Sequence, residues 1–432
     1  MEMKRAEIMP GLWLTHLRSD KFKTACLSVS LLTQLTRETA SMNALIPFVL
    51  RRGTVNYGDM EAISRRLDEL YGSAIEPVVR RIGEIQCIGF YASIPEEDYL
   101  PQGESTLSGA AQLLGQMLLS PATRGGLLMK DYVDSEREKL LELIRSRINE
   151  KRAYALFRCI EEMCCFEDFA VSRYGSEADC EGINFKELTK HYHDLLLSSP
   201  VEIFYCGKTE FKKVKSVLKD ALSGFPRGEI DYDIGTDVRM NAVEAEPRFV
   251  TEELNVTQGK LVMGFRLGEC MEEPDLAALY VFNAVYGSGA TSKLFMNVRE
   301  KLSLCYYAGS LLDTHKGLMF VSSGIEFAKF EEAKNEILAQ LDEIRKGNVS
   351  EDELSSAKAG IASDLRSLLD TQGDLEGFYL SNTIDGLDCA PQALAELVED
   401  VSLDDIQAIA NSIELDLIYF LTGCEECEED AD

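Results

Sequence analysis

The feature that most constrains the fold is an internal duplication. Each half of the 432-residue chain carries the same landmarks in the same order: an apolar helix, a glycine break, a charged amphipathic helix, two strands around a charged turn, a helical block, and a short helix feeding a strand that ends in glycine. Gly53 to Ile94 in the first half and Gly287 to Ile325 in the second cover nearly the same span, and the closing strands end at Gly207 and Gly423. Shared order over the whole series is the mark of a repeated unit. Such a unit reads as an α+β lobe, a mainly antiparallel sheet covered on one face by helices, and two copies bury two separate cores. The expected organisation is a first lobe over 1–224, an acidic and poorly patterned linker over 225–250, and a second lobe over 251–432. Two lobes hinged by an exposed linker can form a cleft or half of a chamber.

The elements follow from local pattern. Alternation of apolar and polar residues from Trp13 to Thr36 fits strands of a half-exposed sheet. Ser41 to Leu50 is an apolar helix stopped by Arg51-Arg52-Gly53. Asp59 caps a helix with Ile63, Leu67 and Leu70 on one face, and Gly72 ends it. Two strands, Ser73 to Val79 and Glu84 to Ile94, precede a helical block in which one long helix runs from Asp131 to about Phe157. Val201 to Gly207 and Asp416 to Gly423 read as the closing strands.

Charge narrows the partners. Forty-four Lys and Arg against 74 Asp and Glu give a formal charge of −30, which argues against nucleic acid and against anionic membrane surfaces. The opening Met-Glu-Met-Lys-Arg-Ala-Glu lacks the apolar core of a signal peptide, and nowhere does an apolar run reach the roughly 18 residues of a membrane span. A cytoplasmic location is the expectation. Twelve cysteines are scattered, and Cys26, Cys87 and Cys206 sit inside apolar strand-like runs, as reduced core residues do.

The stretch Gly287 to Tyr307 concentrates the distinctive residues. Leu294, Val298 and Leu302 recur at helical spacing, with Arg299, Glu300 and Lys301 toward the end of the segment. Gly287 and Gly289 precede it. They allow a turn with free backbone torsions ahead of a helix start, able to hold an extended backbone or an anion, or they let a helix pack closely on its neighbour.

These residues resemble the M16 (insulinase, or mitochondrial processing peptidase-like) metallopeptidase family, across nearly the whole chain. The match is carried mainly by Leu294-Phe-Met-Asn-Val-Arg299-Glu-Lys-Leu-Ser-Leu-Cys-Tyr306 after a glycine-rich turn. The resemblance implies a duplicated LuxS/MPP-like metallohydrolase fold. It also implies that Gly287 and Gly289 belong to the substrate-facing wall, with Arg299 hydrogen-bonding a peptide carbonyl and Tyr306 supporting a tetrahedral oxyanion; a guanidinium and a phenol are suited to those tasks.

The same family carries a zinc site in its first lobe, His-x-x-Glu-His on the helix before a Gly-Thr break, completed by a distal Glu. Counting back from Gly53-Thr54 gives Ala44-Leu-Ile-Pro47-Phe48, so both histidines and the motif Glu are replaced. The distal ligand position falls on Leu143, with Glu142 beside it. No other set repeats that motif. His16 and His315 stand alone as surface or turn residues, His191 and His193 lie two apart on one helix and point to different faces, and Cys424 and Cys427 form one zinc-like pair without a second.

Within the family this departure resembles the non-catalytic YmfF-like branch, as does Ile63-Ser-Arg-Arg-Leu-Asp-Glu-Leu-Tyr-Gly72. The resemblance implies no metal in this chain, with zinc held by a partner, an active M16 paralogue in a heterodimer, or self-association when that partner is absent. It implies a peptide substrate and a link to the pathway that modifies elongation factor P. Two further readings stay open: a stand-alone peptide- or protein-binding scaffold without chemistry, and a metallopeptidase with unorthodox ligands.

Overall fold

The computed structural model describes residues 2–101, 105–268 and 272–423, and it divides into two compact units. In the first unit the alternating N-terminal region gives β1 (Glu2–Met9), β2 (Leu12–Arg18) and β3 (Thr24–Gln34). Three further strands, β4 (Ala74–Ile82), β5 (Ile85–Pro95) and β6 (Val201–Gly207), complete a six-stranded sheet in the order β1-β2-β6-β3-β5-β4. Only β2 and β6 run parallel. On the central strand, Val29 lies opposite Phe90 of β5 and Ile203 of β6.

One face of this sheet receives the helices Ala40–Leu50, Thr106–Leu119, Phe185–Ser198 and Phe211–Ala221, whose apolar stripes merge with it in a single core. The other face is covered as well, by the helix Gln372–Asp385 from the far end of the chain. The Gln372 side-chain amide donates to the carbonyls of Thr24 (2.9 Å) and Cys206 (2.7 Å), and Arg80 donates to buried Glu376. Leu380 packs on Leu32, Ile82, Ile85 and Cys87, and full burial of such a side chain contributes roughly 1.5–3 kcal/mol. The expected half-exposed sheet is therefore corrected: Ser28 and Ser30 alternate with Leu27, Val29 and Leu31 along β3, yet all are buried because a helix closes the second face.

The second unit holds β7 (Arg248–Leu254), β8 (Gly259–Arg266), β9 (Cys305–Asp313), β10 (Leu318–Ile325) and β11 (Glu414–Gly423), in the order β9-β10-β8-β11-β7. β7 and β11 are the parallel pair. Matched strand for strand, β7-β11-β8-β10-β9 repeats β2-β6-β3-β5-β4, so the duplication read from landmarks is also a duplication of topology. β1 is the addition.

Here too a helix from the other half of the chain covers one sheet face. Cys159 and Met163 of Lys151–Met163 pack with Val262, Phe320 and Tyr419. Gly264 permits the approach, since a Cβ at that position would lie 2.4 Å from the Met163 sulfur. A buried charge network fixes the following turn. Arg266 Nε donates to Asp416 (2.8 Å) and its Nη2 to Glu167 (2.7 Å), Arg248 donates to Asp416 (3.0 Å), and Lys316 reaches Glu167 (2.8 Å). Burial raises the Glu167 carboxyl, but hydrogen bonds from Arg266 and Lys316 outweigh it and hold the pKa below its ordinary value.

The units consequently differ from the contiguous lobes 1–224 and 251–432. Ser146–Ala170 belongs to the second unit, and Thr371–Ile384 belongs to the first. The expected long helix from Asp131 breaks where the chain leaves the first unit: it ends at Ser146, and Glu150 caps a separate helix beginning at Lys151. The expected linker is partly docked, with Gly235 N donating to Gln34 (3.0 Å) and β7 already begun at Arg248. Among the described residues no helix is long and apolar enough to cross a membrane.

Candidate functional site

The positions that the family resemblance aligns with a zinc site lie on two helices of the first unit. Ala44 and Pro47 are buried on Ala40–Leu50, Ala44 within the apolar core and Phe48 packed against it. Leu143, on Lys130–Ser146, is 43% exposed, and Glu142 beside it is exposed too. The acid of that helix that is buried is Glu136, which accepts from Arg52 (2.9 Å) and Lys139 (2.7 Å). Ala44, Pro47, Phe48 and Leu143 offer no side-chain lone pair to a cation, so these residues do not fit a zinc ion. Among the described residues no group of three or more His, Cys, Asp and Glu side chains could hold a metal. Cys424 and Cys427 lie outside the described residues.

A closed polar cluster stands next to these positions. His191 Nε2 lies 2.5 Å from Asn43 Oδ1, Asn43 donates to Gln86 (2.8 Å), and Gln86 donates to the carbonyls of Ala40 (3.0 Å) and Arg173 (2.7 Å). Burial lowers the His191 pKa, which favours the neutral ring at neutral pH. His193 is exposed, so the pair diverges as its spacing predicts. His16 departs from the surface position expected of it. It is buried, stacked on Tyr205 at 5.3 Å, and hydrogen-bonded to the Thr209 carbonyl (2.8 Å), because β2 is an interior strand.

The Gly287–Tyr307 stretch lies in the second unit and is built from π-helix. Ala284–Ser288 and Leu294–Lys301 both take that form, and Leu302 N bonds to Asn297 O, five residues back. The expected helix is therefore present, in the wider π form. π-turns are rare and recur at functional sites. Neither glycine occupies the left-handed region; Gly289 has φ −131°. Gly287 is required for packing, since a Cβ there would meet Ser310 Oγ at 2.5 Å and Leu294 Cδ1 at 2.8 Å. Gly289 has no such neighbour. Of the readings left open by sequence, close packing fits Gly287, and nothing in the backbone demands glycine at Gly289.

Arg299 and Tyr306 come together. Both line one open pocket of about 410 Å³ with Glu300, Ser303, Cys305 and Glu326. Buried Val298 and Leu304 anchor the chain on either side of the reversal at Ser303, whose φ is 50°, and Asn297 donates to Gln340 (2.8 Å). Arg299 rests over the Phe295 ring (4.6 Å) and beside Glu300 (3.4 Å). Tyr306 is 65% exposed. The arrangement presents a guanidinium and a phenol to one space, donors suited to a carbonyl or a developing oxyanion. Gly287 and Gly289 do not line it. Glu326 and Cys305 were missed in the sequence; Glu326 follows directly after β10, a position that hydropathy pattern does not mark.

Comparison with known proteins places these features in context. The family model described as "Peptidase M16 inactive domain" matches residues 182–361. A Bacillus subtilis (strain 168) protein named "Probable inactive metalloprotease YmfF" is 32% identical over 417 residues, covering 96% of each chain. Among solved structures, a conserved protein from Enterococcus faecalis V583 superposes with a TM-score of 0.88 at 27% identity, covering 98% of this chain and 99% of that one. A peptidase M16 inactive domain from Pseudomonas fluorescens gives 0.80 at 14% identity over 98% and 99%, a likeness of fold alone.

Proposed function

The chain belongs to the peptidase M16 family as one of its inactive homologues, and on that premise we propose that it is the non-catalytic, peptide-binding subunit of a two-chain zinc peptidase. The observation that carries the proposal is the contrast within one molecule: Ala44, Pro47, Phe48 and Leu143 lack donor atoms, while Arg299 and Tyr306 share an open pocket. The partner chain supplies His-x-x-Glu-His, and with it the metal and the activated water. This chain supplies a wall of the peptide site. Arg299 donates to a carbonyl of the bound peptide, and Tyr306 donates to the oxygen that gains charge when the scissile carbonyl is attacked. Gly287 holds the π-helical segment against Ser310 so that Arg299 is presented at a fixed place. The resemblance to the YmfF-like branch supports a role in the pathway that modifies elongation factor P, and the expected setting is the cytoplasm.

Co-expression with an M16 paralogue that retains the zinc motif tests this. The expected result is a purified heterodimer containing zinc in the paralogue, cleaving a quenched fluorescent peptide that neither chain cleaves alone. A paralogue equally active without this chain would reduce it to a binding scaffold. Stoichiometric, tightly held zinc in the isolated chain would overturn the proposal in favour of unorthodox ligands.

A further inference from the structure

A second concave site in the second unit shares no lining residue with the Arg299–Tyr306 pocket. It is a groove of about 440 Å³, within the range of roughly 300–1,000 Å³ common for ligand sites, between the helices Glu273–Asn283, Pro391–Asp400 and Leu403–Ser412. Ala278, Leu279, Leu397 and Ile409 supply an aliphatic floor. Among the described residues the charged ones lining it are all acidic: Asp275, Asp400 and Asp405, each exposed. Asp405 is held ionised by hydrogen bonds from the Ser402 hydroxyl and backbone N–H (both 2.7 Å), with Lys358 adding to the effect. Lys358 itself donates to the Glu399 carbonyl (2.9 Å). Asp275 and Asp400 have no side-chain ion pair among the described residues.

An aliphatic floor ringed by carboxylates selects an occupant with an apolar body and a cationic end. We propose that this groove docks a short segment of a partner protein in which aliphatic side chains alternate with Lys or Arg, the aliphatic groups on the floor and the cations on Asp275, Asp400 and Asp405. The aliphatic stems of Lys and Arg can lie along apolar surface while their charged ends reach the rim. A second copy of this chain is a poor occupant, since its formal charge of −30 opposes an acidic rim. The groove stands independently of the peptidase reading.

The test uses the full chain and a fluorescein-labelled hexapeptide of alternating leucine and lysine, followed by anisotropy. Ala408 is exposed and lines the groove, so Ala408→Trp fills it from the solvent side without disturbing the core. Binding is expected to weaken about tenfold in Ala408→Trp, as when a central anchor pocket is blocked. It should weaken about fivefold in the double variant Asp275→Asn/Asp400→Asn, the scale of two exposed ion pairs, and in wild type it should fall with added salt. Hexapeptides of alternating leucine and glutamate, or serine and lysine, are expected not to bind. Unchanged affinity in Ala408→Trp would overturn the proposal. So would equal binding of the glutamate peptide, or full displacement by spermidine at equimolar concentration, which would mark a small-amine site instead.

Discussion

Ala44 separates the loss of chemistry from the loss of structure. It is fully buried in the first unit's core, on the helix whose Asn43 is tied to Gln86 and His191. Ala44→His would put an imidazole into a filled space. We predict a loss of stability of about 1–3 kcal/mol in urea unfolding, and no gain in zinc content even when combined with Phe48→His. Glu202 carries a pH signature. Arg5 donates to it at 2.7 Å, but burial dominates and pushes its carboxyl up to about 7 from an ordinary 4.5. Its folded pKa therefore exceeds the unfolded one, and between those values the native state binds more protons. Stability is expected to fall as pH rises from about 4.5 through 7, and Glu202→Gln should flatten that part of a Tm-against-pH profile. At this scale the absence of donor side chains at Ala44, Pro47, Phe48 and Leu143 was legible, because residue type alone decides it. The partner of His191 was not, since Asn43 lies 148 positions away and no local pattern links them.

In the sequence the element that carries Arg299 reads as a helix from Leu294, Val298 and Leu302. Four-residue spacing identifies a helical segment without distinguishing i→i−4 from i→i−5 bonding. The wider turn and the reversal at Ser303 leave Leu302 42% exposed and give the next buried place to Leu304. The two glycines before it test which property matters. Gly287→Ala meets Ser310 and Leu294 at less than contact distance and is expected to cost about 1–3 kcal/mol. Gly289→Ala meets nothing closer than 3.9 Å at an ordinary φ, and is expected to be neutral or stabilising by up to about 1 kcal/mol. Equal effects in thermal unfolding would refute the packing role assigned to Gly287. The extra helix on each sheet was also beyond the sequence: periodicity shows that Gln372–Asp385 and Lys151–Met163 have apolar faces, not which sheet receives them.

Across the whole molecule the duplication was legible because each copy keeps the order of its landmarks, and the strand orders repeat accordingly. Discontinuity was not, because membership of Ser146–Ala170 and Thr371–Ile384 depends on long-range contacts such as Glu167 to Arg266 and Gln372 to Thr24. The function proposed for this chain divides the labour between two chains. The direct measurement is kcat/KM of the mixed pair for a peptide, with Arg299→Ala or Tyr306→Phe introduced in this chain only. Falls of about a hundredfold to a thousandfold are expected, the scale of losing one transition-state donor, with assembly and zinc content unchanged. Wild-type activity in both variants would contradict the proposal.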